Sequence, residues 1–171
     1  MSADPEFERL VNRYYRNLYR FAFGLTGNDA DACDLTQETF YVWARKGYQL
    51  RNPETVKTWL FTTLHRKFLN ICRRRERFPH ETIDTVVHDI PDVPADCVNR
   101  IDAQTLLRLL GDIEEDYRTP LLLYYMEDLS YKEIAEVLQI PVGTVQSRIA
   151  RAKLKLFRLL NETKPASPRT K

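Results

Sequence analysis

The side chains of this 171-residue chain with the widest chemical range are three histidines, His65, His80 and His88, and three cysteines, Cys33, Cys72 and Cys97. A zinc centre needs such ligands at short, regular spacings, and no CxxC, HxxxH or HExxH pattern occurs. Three thiols this far apart do not make a disulfide framework either. They read as scattered thiols and surface imidazoles, so no metal, cofactor or catalysis is expected. A metal-dependent enzyme built on His80, His88 and Cys97 is the alternative, and those residues lack ligand spacing. Binding chemistry is richer. Thr144, Gln146, Ser147, Arg148, Arg151, Lys153, Lys155 and Arg158 fall on the outward positions of one helical period. Gln, Ser and Arg can hydrogen-bond base edges in a major groove, while Lys and further Arg suit phosphates.

Charge is distributed in blocks that the net value of +2 conceals. Residues 65–77 hold six Arg/Lys against Glu76 alone, and residues 142–160 hold five Arg/Lys and no acid. Between and beside them lie acidic stretches, six Asp/Glu over 76–100 and eight over 112–136. Two basic patches set apart by acidic segments suit an anionic partner, although a charge run by itself is also what a solvated helix face looks like.

The elements that carry these residues are helical throughout. Phe7, Leu10, Val11, Tyr14, Leu18, Phe21, Ala22 and Leu25 recur every three or four residues, which is one face of a helix opened by Asp4-Pro5 and closed by Gly27-Asn28. Asp29 is placed to cap a second helix running through Leu35, Phe40 and Trp43 to about Lys46. Asn52-Pro53 caps a third, with Val56, Trp59, Leu60, Thr63, Leu64, Phe68 and Ile71 as its buried stripe. After Arg75 the period is lost among Pro79, Pro91, Pro94 and acids, the composition of a flexible linker. Helices resume around Ile101–Leu110, stopped at Gly111, and over about 114–126 with Pro120 near the first turn.

Ser130-Tyr131-Lys132-Glu133 has the form of a capping box, in which the Ser hydroxyl and the Glu carboxylate each satisfy backbone N–H groups at a helix start. Ile134, Ala135 and Leu138 face inward from that short helix. Pro141 disfavours helical geometry just before it, and a longer helix follows with Val145, Ile149, Ala152, Leu156 and Leu159 inside. A short helix, a turn and a longer helix with an acid-free polar face is the docking geometry of a helix-turn-helix. The fold class is therefore all-α: two small helical domains, an N-terminal bundle and a C-terminal helix-turn-helix domain, joined by a flexible linker. The boundaries are 1–75, a linker over 76–97, 98–163, and a polar tail over 164–171. No run of about 18 apolar residues occurs, the N-terminus has no apolar leader core, and a cytoplasmic location without membrane insertion is expected.

Leu129–Leu138 together with Pro141–Ala152 resembles the promoter-reading C-terminal domain of sigma factors, more narrowly the small two-domain extracytoplasmic-function (ECF) group. The resemblance implies that Thr144, Gln146, Ser147, Arg148, Arg151, Lys153 and Lys155 contact the minus-thirty-five element. Gln146 and Ala150 depart from the basic and aromatic residues many members carry there. Asp34-Leu35-Thr36-Gln37-Glu38-Thr39-Phe40 resembles the segment that docks on the clamp helices of the largest RNA polymerase subunit, which would give Asp34, Leu35, Gln37, Glu38 and Phe40 to core binding. Asp34, Gln37 and Glu38 also stand three and four apart, one acidic face suited to a basic helical partner or simply to solvent. Trp59-Leu60-Phe61 and His65–Asn70 resemble the minus-ten-reading helix, with Arg51, Lys57, Phe61, His65, Arg66, Asn70, Arg73 and Arg74 as candidates. Aromatics interleaved with bases suit single-stranded DNA. Arg66 and Asn70 replace the Asn and Asp of many members. The resemblance covers about 7–75 and 101–160. It implies a promoter-specific initiation factor that needs no cofactor. Its partners would be RNA polymerase core (clamp helices and the flap of the second-largest subunit), promoter DNA, duplex and single-stranded, and an anti-sigma factor. The linker would be either a plain tether or an acidic segment threaded through the polymerase cleft.

Overall fold

The computed structural model describes residues 5–50, 52–77 and 103–162. Among these residues all regular structure is helical: α1 (Pro5–Thr26), α2 (Asp29–Lys46), α3 (Val56–Arg77), α4 (Ala103–Gly111), α5 (Glu115–Glu127), α6 (Tyr131–Leu138) and α7 (Val142–Glu162). Two single 3-10 turns, Gly47–Gln49 and Pro53–Thr55, join α2 to α3. The linker expected over 76–97 begins later, because α3 continues to Arg77, and the remainder of it lies outside the described residues.

Helix ends follow local chemistry, with two shifts from the sequence reading. Asn28, rather than Asp29, caps α2: its side-chain oxygen accepts a hydrogen bond from the Asp31 amide at 3.0 Å. Asp29 becomes the first helical residue, where its charge favours the positive end of the helix and its carboxylate accepts a bond from the Tyr19 hydroxyl at 2.5 Å. Gly27, at φ 65°, supplies the left-handed residue that turns the chain out of α1. Pro120 sits inside α5 and not in its first turn, so the Asp116 carbonyl has no amide to accept from. That residue is exposed, and water can satisfy it.

The N-terminal helices pack as a three-helix unit about Leu18, Phe21, Leu25, Leu35, Phe40, Leu60, Phe61 and Leu64. Phe21 and Phe61 meet edge to face with ring centroids 5.3 Å apart, and Trp43 meets Trp59 in the same manner at 5.2 Å. Thr36 and Thr39 are fully buried, their hydroxyls donating back to the carbonyls of Ala32 and Leu35 at 2.8 and 2.7 Å. In the second half, Leu109, Ile113, Leu121, Leu123, Leu129, Ile134, Val137, Val145, Ile149 and Ala152 form the centre, with α7 laid against α5 and α6.

The two halves are not merely tethered. α5 packs on α1 and α6 packs on α3. The close approach is made at Gly24, where a Cβ would stand 2.9 Å from a Leu122 methyl. Arg118 donates from Nη2 to the Leu25 carbonyl at 3.1 Å, which caps the C-terminal end of α1.

Candidate nucleic-acid interface

The capping box forms as spelled: the Glu133 amide donates to Ser130 Oγ at 3.3 Å and the Ser130 amide donates to Glu133 Oε2 at 2.8 Å. The Ser130 hydroxyl, donating to Glu133 Oε2 at 2.7 Å, and then the Ser130 amide hold the Glu133 carboxyl below its ordinary range. α6 ends at Gln139, whose φ of 56° is left-handed, and the Ile140 amide returns to the Ala135 carbonyl at 3.2 Å. The chain then passes Pro141, whose carbonyl receives the Thr144 and Val145 amides at 2.9 and 3.1 Å and so starts α7. Val145, Ile149 and Ala152 anchor that helix in the core, which fixes which positions face outward.

Gln146, Ser147, Ala150 and Arg151 are exposed along the first turns of α7, and Thr144 is half-buried beside them. Ser147 Oγ donates to the Thr144 carbonyl at 3.0 Å. Arg148 is held back by a 3.1 Å ion pair from Nη1 to Asp116 Oδ1 of α5. The two lysines further along touch neighbouring side chains, Lys153 from an exposed position and Lys155 from a half-buried one. Lys153 Nζ lies 5.6 and 5.2 Å from the ring centroids of Tyr124 and Tyr125, and hydrogen bonding to the Tyr125 hydroxyl raises its pKa. Lys155 pairs with Glu114 and lies 4.7 Å from the Tyr117 ring centroid. That lysine's hydrogen bond, first among the causes, lowers the Glu114 carboxyl. Lys153 and Lys155, expected to reach DNA, thus also have partners within their own domain. Gln146, Ser147 and Arg151 are the exposed polar candidates on these turns, and Arg148 is paired.

α3 divides its candidates between three surroundings. Arg66, Asn70, Arg73 and Arg74 are exposed on one stripe, and Arg77 continues it at the same spacing. Asn70, Arg73, Arg74 and Arg77 line one shallow basic concavity. Arg77 fell beyond the expected domain end, although its distance of three and four residues from Arg74 and Arg73 was a usable signal. Phe61, expected to stack on a base, is fully buried against Phe21 and is a core residue. His65 is buried at the contact with α5, its Nε2 3.8 Å from Glu115 Oε1. Lys57 Nζ donates to the Glu127 carbonyl. The buried stripe of α3 is therefore broader than its periodicity suggests, because α3 is covered by α1 on one side and by the second half on another. Arg51 lies outside the described residues.

On α2, Asp34, Gln37 and Glu38 are exposed and share one face, with Glu38 paired to Lys67 of α3 at 3.0 Å. Leu35 and Phe40, expected in the same docking surface, are core residues at 1% and 6% exposure. Tyr41, 62% exposed, extends the polar face from Gln37 and Glu38 at helical spacing, and the sequence reading passed over it. Among the described residues no group of three His, Cys, Asp or Glu side chains is arranged to hold a metal ion, and no helix is long and apolar enough to cross a membrane. His80, His88 and Cys97 lie outside the described residues.

Comparison with known families assigns residues 10–78 to sigma-70 region 2 and residues 103–156 to sigma-70, region 4. SigW of Bacillus subtilis, an ECF RNA polymerase sigma factor, is 30% identical over 169 residues, spanning 91% of this chain and 89% of SigW. The chain belongs to the ECF RNA polymerase sigma factors. SigE of Mycolicibacterium smegmatis is 35% identical over 163 residues, and there the chain spans only 62% of the relative's length. The crystallised sigma factor RpoE of Bartonella quintana, in complex with the anti-sigma factor NepR, superposes with a TM-score of 0.79 at 25% identity, covering 94% of this chain and all of that one. The fold is thus that of a sigma factor, with α1–α3 as region 2 and α4–α7 as region 4, and the chain is a transcription initiation factor. The region 2 and region 4 matches leave residues 79–102 between them.

Proposed function

We propose that this sigma factor directs promoter-specific initiation by holding the minus-thirty-five duplex with the first turns of α7 and the opened minus-ten strand with the outer stripe of α3. The exposed, acid-free start of α7, presented by a capped helix and a fixed turn, is the observation that carries the reading. Gln146, Ser147 and Arg151 would read base edges, and Arg148 would join them by leaving Asp116. Arg66, Asn70, Arg73, Arg74 and Arg77 would follow the single-stranded backbone, their stripe matching the basic track such strands need. Core docking falls to Asp34, Gln37, Glu38 and Tyr41 on the clamp helices of the largest subunit, and region 4 rests on the flap of the second-largest. The domain up to the end of α3 thus engages core and the minus-ten region, and the domain from about residue 98 to 163 engages the minus-thirty-five region. An anti-sigma partner fits as well. RpoE of Bartonella quintana was crystallised with NepR, and CnrH, at a TM-score of 0.65 and 25% identity, with the cytosolic domain of CnrY.

In vitro transcription with purified core polymerase on a promoter library tests this directly. A single motif pair at two fixed elements should be enriched, and only when core is present. Tight, specific binding to a palindromic duplex without core would instead mark a stand-alone helix-turn-helix regulator and overturn the reading.

A further inference from the structure

α1 carries a basic face that none of the promoter contacts above uses. Arg9, Arg13, Arg16 and Arg20 follow one another at steps of four, three and four residues, which makes one row down the helix. The row stands opposite the buried stripe of Leu18, Phe21, Ala22 and Leu25. At 1.5 Å per residue it is about 16 Å long. Arg9, Arg13 and Arg16 are exposed, and Arg20 is half-buried near Glu127. No Asp or Glu occurs between Arg9 and Asn28. Among the described residues no ion pair engages Arg9, Arg13 or Arg16. Arg13 lies 5.3 Å from the Tyr14 ring centroid, a contact that leaves its charge unneutralised.

The row does not help the helix. Arg9 with Arg13, and Arg16 with Arg20, are like charges four apart, which oppose helix formation. Its partner is therefore anionic, and the surroundings choose the kind. A protein partner docks through apolar or aromatic anchors, whereas the row offers guanidiniums flanked by Asn12. Single-stranded nucleic acid needs open rings on which bases stack. Tyr15, the exposed ring beside the row, is instead stacked between Tyr19 and Phe40, with centroids 6.5 and 6.3 Å away. Tyr19 and Phe23 continue that ladder half-buried. Duplex DNA asks for no ring. Each strand presents a phosphate about every 3.4 Å of axis, so a row of about 16 Å can meet about five of them. Arginine is also the side chain whose planar fork matches phosphate. Position agrees. Of the two region 2 helices packed on α3, α2 turns Asp34 and Glu38 outward and α1 turns arginines.

We propose that Arg9, Arg13 and Arg16 of α1 form a sequence-independent clamp on the phosphates of paired promoter DNA next to the opened minus-ten segment. The proposal deepens the promoter reading above and rests on it for where that duplex lies.

The test uses reconstituted holoenzyme and labelled promoter fragments, with affinity measured against salt concentration. Arg9→Gln, Arg13→Gln and Arg16→Gln should each flatten the salt slope on duplex fragments by about 0.9, and the triple variant by about 2.7. The loss should be the same on fragments with intact and with scrambled elements. Binding of a minus-ten single-stranded oligonucleotide should not change. Arg9→Lys, Arg13→Lys and Arg16→Lys together should keep the wild-type slope, since the slope counts neutralised phosphates. Thermal melts and co-elution with core should match wild type throughout, because these side chains point away from the buried stripe of α1. An unchanged duplex slope in the triple glutamine variant overturns the clamp. So does a loss confined to the single strand, weakened co-elution with core, or a lysine variant as damaged as the glutamine one. Phosphatidylserine vesicles offer the other anionic surface. Sedimentation of the free chain with them that the triple variant abolishes, alongside an unchanged duplex slope, would give the row to a membrane and overturn the clamp as well. Failure of the promoter reading looks different: wild type would bind intact and scrambled fragments equally, whatever the slopes of the variants.

Discussion

On the proposed reading Arg148 enters promoter binding already paired, and that makes its expected contribution calculable. Its Nη1 lies 3.1 Å from Asp116 Oδ1, with the arginine side chain 26% exposed and the aspartate 71% exposed. An ion pair this open to water contributes about 0–1 kcal/mol. A bidentate contact to a base contributes about 1–3 kcal/mol of discrimination. Giving up the first for the second leaves a net gain of about 1–2 kcal/mol, so Arg148→Ala should weaken holoenzyme binding to an intact promoter by roughly 5- to 30-fold. Asp116→Ala removes the competitor and should tighten binding by up to about fivefold. In the double variant the effect of the aspartate should vanish, because it acts only through the arginine. The assay is anisotropy of labelled promoter fragments with reconstituted holoenzyme at one fixed salt concentration, using an intact and a scrambled minus-thirty-five element. Arg148→Ala should lose affinity on the intact fragment alone. Equal losses on both fragments, or an Asp116→Ala variant as damaged as Arg148→Ala, would refute the reasoning, the second by making Asp116 a positioner and not a competitor.

Other expected outcomes are as direct. Ser130→Ala breaks the capping box and should cost about 1 kcal/mol in denaturant unfolding of region 4. The Glu133 carboxyl is depressed in the folded state, so its contribution is complete above pH 4.5 and should be lost as the pH falls further, which an acid titration of wild type against Glu133→Gln would expose. Phe61→Ala should destabilise region 2 by about 3–5 kcal/mol, as a core residue does, with a thermal melt to measure it. Asp34→Lys should leave the melt unchanged and weaken holoenzyme assembly, measured by co-elution with core. Replacing Arg73, Arg74 and Arg77 singly by alanine should each lower the salt slope of single-strand binding by about 0.7.

Local chemistry was the legible part of this chain. The capping box, the break before Pro141 and the three- and four-residue spacing of Val145, Ile149 and Ala152 all act within a few residues, and they stand where the sequence places them. The choice between Asn28 and Asp29 as a cap was not legible, since two neighbouring side chains offer the same acceptor chemistry. The docking segment was misread in a different way. A helical wheel separates Asp34, Gln37, Glu38 and Tyr41 from Leu35 and Phe40, but taking the segment as a motif merged the two faces. The burial of His65 against α5 was beyond local reading altogether. It depends on α3 having a second neighbour from the far half of the chain, across more than 40 residues of separation, and periodicity within α3 cannot announce a partner so remote.

The tryptophan pair has a practical consequence. The chain contains only Trp43 and Trp59, and both lie in region 2, locked edge to face with Gly47 beneath the Trp43 ring. Region 4 carries Tyr117, Tyr124, Tyr125 and Tyr131 and no indole. Emission excited at the red edge of the absorption band therefore comes from one half alone, whereas tyrosine light comes from both, since Tyr14, Tyr15, Tyr19, Tyr41 and Tyr48 also lie in region 2. A single cuvette, without any attached dye, can follow the melting of region 2 by itself. Set against a probe of the total helix, that signal tells whether the two halves melt together or apart.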